Sequence, residues 1–374
     1  MRELAVDIGS RSAGTDGETR GAEYIRDQLA SYGYQATLQP FPFTRFVDVK
    51  SDLDVVMPNP RSVDAFTLGG SPNGTANGVL VAAGIGRIGD FPSSTKGKVA
   101  LVKRGDITFT LKVQNAAAAG ASAVVIYNNQ PGPFTGQMNE SSAIPALTIS
   151  REDGQSLVDQ LASLAPPALT VRVEVQTDMV ADESRNVVAT SSGGECTLVV
   201  GGHYDSVAAG PGANDNGSGT ATVVEIARVL SAADETNGLC FVLFGAEEIG
   251  LLGSAHYVKA LSASQRSSLV AMLNFDMLGV GDSWPLAGSS EILDIAGREA
   301  DLLGLDHSRS TELPENLGSD HASFARAGIP SIIFNCFCDP NYHTAQDTLR
   351  FVEKDRLGEA GALGLAVINA LLND

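Results

Sequence analysis

Five short apolar runs separated by helical patterns decide what the second half of this chain can fold into. From Asn186 onward NVVAT, CTLVVGG, LCFVLFG, VAMLNF and SIIFN follow one another, each almost wholly apolar. A strand that is apolar on both faces must be covered on both, which a sheet lying between two helical layers provides. Helical patterns lie between the runs. The clearest is TATVVEIARVL, with Val223, Ile226, Ala227 and Leu230 on one face. The expectation is an α/β fold of three layers, α/β/α, around a mostly parallel mixed sheet.

The residues after each run carry chemistry. CTLVVGG is followed by His203-Tyr-Asp205, LCFVLFG by Ala-Glu247-Glu248, VAMLNF by Asp276, and SIIFN through a short loop by Tyr342-His343. Asp215 stands in the loop GPGANDNGSG that opens the Thr220–Leu230 helix. Ligands of open α/β sheets bind beyond the carboxyl ends of the strands, so five metal-competent side chains converge on one end of one sheet. Taken singly, each has an ordinary reading: a buried histidine, a solvated glutamate pair, a turn, a helix cap, loop residues. Their joint placement at successive strand ends is what marks a site.

Charge says what such a site holds. Asp215, Glu248 and Asp276 bring −3 and neutral histidines nothing, so two divalent cations leave +1, which one shared hydroxide cancels. Without metal the carboxylates repel one another and take up protons. Imidazole and carboxylate without thiolate suit zinc, with cobalt or manganese as possible substitutes. Neighbours on extended backbone point opposite ways, so Glu247 and Glu248 cannot both easily bind one ion. One of them is free to take a proton from a metal-bound water.

The first half reads differently. Residues 18–32 form an amphipathic helix with Ile25, Leu29 and Tyr32 on one face, and a strand from Gln35 to Phe41 comes after it. Around residue 55 the texture turns to Gly-, Pro-, Asn- and Ser-rich loops with short apolar strands. A helix from Leu111 to Ala119, a stop at Gly120 and a strand from Ala123 to Tyr127 come next, and this stretch ends near Pro166-Pro167 before a strand from Leu169 to Val175. The expected division is 1–50 with 172–374 as one domain and 51–171 as a smaller α+β insertion.

The 374 residues carry 25 basic and 44 acidic side chains, a net charge of −19. That balance opposes a nucleic-acid partner or an anionic membrane surface. No apolar run approaches the ~18 residues that cross a bilayer. The opening Met-Arg-Glu lacks an apolar leader, so any signal peptide is expected to be absent or to have been removed. Cys196 and Cys240 each lie seven residues before a site residue, His203 and Glu247, and face each other if their strands are parallel neighbours in that register. Disulfides between such neighbours are uncommon, and this pair and Cys336/Cys338 are expected to be plain buried thiols. His256 and His307 are expected to be structural or superficial. Asn73-Gly-Thr and Asn139-Glu-Ser are candidate glycosylation sequons, while a glycan on Asn216, beside Asp215, would block the crevice.

At these residues the chain resembles the zinc aminopeptidases of metallopeptidase family 28, the class that includes secreted bacterial leucine-type enzymes. GGHYDSV, GANDNGSG, FGAEEIGLLGS, NFDMLG, SDHASFARAGIP and YHTAQDT carry the resemblance in the expected order across residues 201–348, and SRSAGTDGETRGAEYIRDQLASYGYQ looks like the family's first helix. Residues 96–128 look like a protease-associated domain. The resemblance implies a zinc-peptidase-like fold and two zinc ions. His203 and Asp276 would hold one ion, Glu248 and His343 the other, and Asp215 would bridge them. It makes Glu247 the general base for attack by a metal-bound hydroxide, and matches Tyr342 to a tyrosine that in some members stabilises the oxyanion. Asp205 would orient His203, with Asp320 and Asp347 as further supporting carboxylates. Cysteines that flank the Tyr-His pair in the secreted bacterial pattern are here Asn341 and Gln346. The implied substrates are peptides or proteins with a free N-terminus, and the implied location is extracellular.

Three other readings share the architecture. A glutaminyl cyclase would use a single zinc, against the intact two-metal set. A carboxypeptidase would want an arginine cluster in the crevice, for which Arg309 and Arg326 are the candidates. A non-catalytic, receptor-like protein should have lost ligands, and none is missing.

Overall fold

The computed structural model of the protein describes residues 1–138, 140–163, 169–191, 195–311, 318–336 and 338–373. The chain divides into two units, Met1–Phe43 with Asp182–Asp374, and Thr44–Ala181. The strands Gln35–Met57 and Thr170–Thr190 carry the chain between them. Both divisions therefore fall inside continuous strands, where composition gives no break. Pro166-Pro167 lie outside the described residues. Among the described residues no helix is long and apolar enough to cross a membrane.

In the first unit Leu239–Phe244, Leu198–His203, Ala271–Phe275 and Ser331–Phe334 run parallel in that order. Val187–Thr190 flanks them antiparallel on one side and Trp284–Gly288 on the other, with His307–Ser310 parallel to the latter. The strands alternate as a doubly covered sheet must. Leu239, Phe241 and Leu243 enter one core, while Cys240, Val242 and Phe244 enter the other. The first core takes the helices Asp16–Ser31, Gly217–Ala232, Ser290–Leu303 and Lys354–Asn373, through Ile25, Ile226, Leu293 and Leu363 among others. The second takes Tyr257 and Val258 of Leu252–Ala260 and Phe324 of His321–Arg326. This is the three-layer, mostly parallel mixed sheet expected. Phe275 stacks on Phe334 at 4.7 Å with planes 5° apart, and losing that ring costs about 3–5 kcal/mol. The second glycine of VVGGH is forced, because a Cβ on Gly202 would stand 2.3 Å from the Phe275 carbonyl of the next strand.

The register corrects one expectation. Val199 pairs with Cys240 and His203 with Phe244, three positions short of Glu247. Cys196 precedes its strand, free of the ladder, and turns to form a disulfide with Cys240, their Cα atoms 5.6 Å apart. Cys336 and Cys338 are also bonded. They lie past the end of the strand Ser331–Phe334. Neither pair is the plain thiols expected.

In the second unit Gly74–Ala82, Val99–Lys103, Ala123–Tyr127 and Ala146–Ile149 run parallel, flanked antiparallel by Thr170–Val175 and by Arg61–Thr67, which pairs with Asp52–Val55. Helices Phe109–Ala118 and Arg151–Ser163 cover it, the first stopped at Gly120 in the left-handed region (φ 80°). Asn73 is exposed, but its amide oxygen accepts from the Thr177 N–H (2.6 Å) and its Nδ2 donates to the Thr177 carbonyl (3.1 Å). Asn139 lies outside the described residues. Asn216 is wholly buried, which excludes a glycan there.

Candidate metal centre

The four central strands share one direction, so the residues just beyond their carboxyl ends gather on one side of the sheet. His203 closes Leu198–His203 and is 1% exposed, and Asp276 comes directly after Ala271–Phe275 at 5%. Asp215, also 5% exposed, precedes the helix Gly217–Ala232, which Asn216 caps by accepting from the Gly219 N–H at 2.8 Å. His203 Nε2 stands 3.3 Å from Asp215 Oδ1 and 3.3 Å from Asp276 Oδ1. His343 Nε2 stands 3.1 Å from Asp215 Oδ2 and 2.8 Å from Glu248 Oε2. One carboxylate thus turns one oxygen to each histidine. Atoms of His203, Glu247 and Asp276 all lie within 4.8 Å of one another, as do atoms of His203, Asp215 and Glu248. The adjacent glutamates therefore belong to different groups, as diverging side chains should.

These atoms fit a divalent cation better than they fit one another. Asp215 Oδ2, Glu248 Oε1 and Asp276 Oδ1 are buried with no hydrogen-bond partner among the described residues, an arrangement that costs free energy unless a cation or a proton answers it. Burial, and then the Asp215 charge, push Glu248 up to about 7. Burial pushes Glu247 well above the carboxylate range, with Glu248, Asp320 and Asp276 adding to it. Burial alone would make His343 a weaker base, yet Glu248 and Asp215 overrule it and hold the ring at about 10. Burial likewise opposes protonation of His203, and Glu247 and Asp276 reverse that. Without metal, the surrounding carboxylates thus draw both imidazoles toward their protonated forms. Binding of a divalent ion there displaces those protons. Two imidazole nitrogens and three carboxylates, with no thiolate, form a donor set that zinc accepts.

The sequence pattern of peptidase family M28 matches residues 186–368, and that of the PA domain matches residues 69–157. Aminopeptidase YwaD of Bacillus subtilis is 34% identical over 98% of this chain and 82% of its own length. The chain belongs to peptidase family M28. An aminopeptidase of Pseudomonas aeruginosa is 33% identical over 74% of this chain, a match that spans 55% of that relative. Among solved structures, BSAP, a zinc aminopeptidase from Bacillus subtilis, superposes with a TM-score of 0.82 at 32% identity, covering 99% of this chain and 92% of that one. The protein is thus a peptide hydrolase of the M28 family that carries a PA domain.

Around the candidate centre of this M28 chain, main-chain donors fix the segments that carry the candidate ligands. Asp205 accepts from the Glu247 N–H (3.1 Å) and the Glu248 N–H (3.3 Å), and its Oδ1 lies 3.5 Å from His203 Nδ1. Asp347 accepts from the Asn214 N–H (2.7 Å) and the Asp215 N–H (2.9 Å). Asp320 is wholly buried and neither carboxylate oxygen has a partner among the described residues. Tyr342 stacks on His343 with ring centroids 3.7 Å apart.

Two positioning residues escape a reading of the sequence. Asn214 Nδ2 donates to Asp339 Oδ2 at 2.8 Å and its Oδ1 accepts from the Gly279 N–H at 2.7 Å. Asp339 Oδ1 accepts from the Asn341 N–H at 2.8 Å. The Tyr342-His343 loop is therefore tied to the Asp215 loop without cysteines at 341 and 346. The Asp-Pro-Asn turn just before Tyr342 is the signal available for it. His321 escapes too: it is 2% exposed, neither ring nitrogen has a partner among the described residues, and burial lowers its pKa to about 4. His256 stacks on Phe41 at 5.1 Å, and His307 Nδ1 lies 3.3 Å from the Leu305 carbonyl. Neither joins the centre. Arg309 pairs with Asp294 at 3.2 Å, and Arg326 lines a separate cavity of about 460 Å³ with His321 and Ser289.

Proposed function

We propose that the chain is a two-zinc aminopeptidase. In this reading His203 and Asp276 hold one ion, Glu248 and His343 the other, and Asp215 bridges them. Asp215 carries the reading, with Oδ1 turned to His203 and Oδ2 to His343. Zinc bound there would polarise the scissile carbonyl and acidify a water. Glu247 stands within reach of the same ligand atoms without being needed to hold them. It accepts the water's proton and returns it to the departing amine. Tyr342, held against His343, donates to the oxygen that gains charge. Asp205 keeps Glu247 and Glu248 in place through their N–H groups, and Asp347 does the same for Asp215. The acidic surroundings suit a free α-ammonium on the substrate, which makes the activity that of an exopeptidase. Of the arginines weighed for a carboxypeptidase, Arg309 pairs with Asp294 and Arg326 lines a separate cavity, and the complete ligand set disfavours a single-zinc cyclase or a non-catalytic relative. Two disulfides accord with extracellular action.

The test is hydrolysis of a leucyl chromogenic amide and of its N-acetylated twin, each with and without a strong chelator. Cleavage of the free amine alone, lost to the chelator and regained with zinc, is expected. Equal cleavage of both twins would remove the free-ammonium requirement and the aminopeptidase reading with it.

A further inference from the structure

Arg11 is wholly buried, yet among the described residues every acceptor its side chain meets is a main-chain carbonyl. Its Nε donates to Tyr204 (2.6 Å). Nη1 donates to Leu4 (3.0 Å), Gly9 (2.9 Å) and Pro211 (2.7 Å), and Nη2 to Gly212 (3.0 Å). The Arg11 N–H donates to Ser206 Oγ at 3.0 Å. A buried guanidinium without an ion pair is costly, so its retention needs a reason. Burial lowers it to about 10, which leaves it charged near neutrality, and the carboxylates whose fields oppose that loss are Asp205, Asp347, Asp215 and Glu248. Those are the carboxylates of the centre itself. Position supplies the reason: Tyr204 comes directly after His203, and Pro211-Gly212 stands just before Asp215. One side chain grips both ends of the loop that joins two ligands and anchors them to Leu4 and Gly9.

We propose that Arg11 is a positioning residue of the metal centre: its fork fixes the Tyr204–Gly212 loop so that His203 and Asp215 present their ligand atoms together before an ion arrives. The inference rests on the two-zinc reading. Lysine cannot replace it, since one ammonium cannot span carbonyls on both ends of the loop.

Two effects of opposite sign make the test decisive. Deleting a cation beside a metal site favours binding of Zn²⁺, whereas releasing the loop opposes it. Arg11→Lys keeps the charge and only releases the loop, so it is expected to bind zinc about tenfold more weakly, and Arg11→Gln, which also deletes the cation, is expected to bind more weakly than the parent by a smaller factor. The measurement is competition with a chromophoric chelator, on protein whose near-ultraviolet dichroism matches the parent. kcat should fall with KM little changed, and excess zinc should restore it. Unchanged or tighter zinc binding in a folded variant overturns the proposal, because loss of a purely structural contact lowers stability without touching the affinity of folded molecules. If neither folds, Ser206→Ala, which removes the acceptor of the Arg11 N–H together with the hydroxyl's own bonds to the Val207 and Gly210 carbonyls of the same loop, should weaken zinc by a smaller factor, and parental affinity there overturns it equally. A parent chain that binds no zinc overturns the two-zinc reading and this inference together. Two zincs in the parent with unaltered variants overturn this inference alone.

Discussion

In the Thr44–Ala181 unit the buried Lys112 donates to the carbonyls of Ile85 at 2.5 Å and Gly105 at 2.7 Å. In the other unit Asp215, Glu248 and Asp276 each keep a buried oxygen that makes no hydrogen bond among the described residues, although imidazole nitrogens stand close to two of them. Both sheets are built from the same kind of apolar strand, and both units bury charge. The difference is completion. Lys112 is matched within its own fold, so it reads as structure, whereas the carboxylates are gathered and left unmatched, so they read as a site awaiting cations. Arg11 stands between these cases, matched as fully as Lys112 but by the loops that carry the unmatched groups.

Removing the group shared by both halves of the centre should have the largest effect. Asp215→Ala is expected to lose zinc and with it all measurable peptidase activity, checked by metal analysis after gel filtration. Two zincs retained per chain would contradict the bridging role. Glu247→Gln should separate proton transfer from metal binding. It should keep both zincs while kcat falls about 10²–10⁴-fold, and near-parental turnover would remove Glu247 from the mechanism.

The centre was more legible in sequence than the scaffold around it. Each candidate ligand comes after an apolar run or opens a helix, so strand direction alone gathers His203, Asp276 and Glu248. Cys196–Cys240 was not legible, because it depends on a register offset of three residues that spacing alone cannot give. His307–Ser310 was missed because this short edge strand carries no apolar run, Ser308, Arg309 and Ser310 being exposed, and Trp284–Gly288, which lies between it and Ser331–Phe334, because a five-residue run holding a proline and a glycine reads as a loop. Arg11 and Asn214 were hidden for another reason. Arg11 donates to carbonyls, and Asn214 links a carboxylate and an N–H, on loops distant in sequence, and no local pattern marks a side chain that serves remote partners.

A smaller effect is expected where the tie between the two ligand loops is cut. Asp339→Ala removes the acceptor for both Asn214 and the Asn341 N–H. Zinc held by Glu248 and His343 should then bind about tenfold more weakly, while the ion at His203 and Asp276 is little affected. Zinc titrations resolving two affinities would check this, and equal weakening of both would mean that the tie serves the whole centre.

The smallest effect on the centre, and the sharpest test of the contrast, comes from the matched cation. Lys112→Met keeps the apolar stem and strands the carbonyls of Ile85 and Gly105, at a cost of about 1–3 kcal/mol in stability. Urea unfolding should register that loss, while zinc affinity and kcat/KM on the leucyl amide stay at parental values. The comparison with Arg11→Lys is what matters, since both substitutions disturb a buried cation held by carbonyls. If Lys112→Met weakened zinc as Arg11→Lys does, carbonyl-bound cations would be acting through overall stability, and the distinction between matched structure and a matched support of the site would fail.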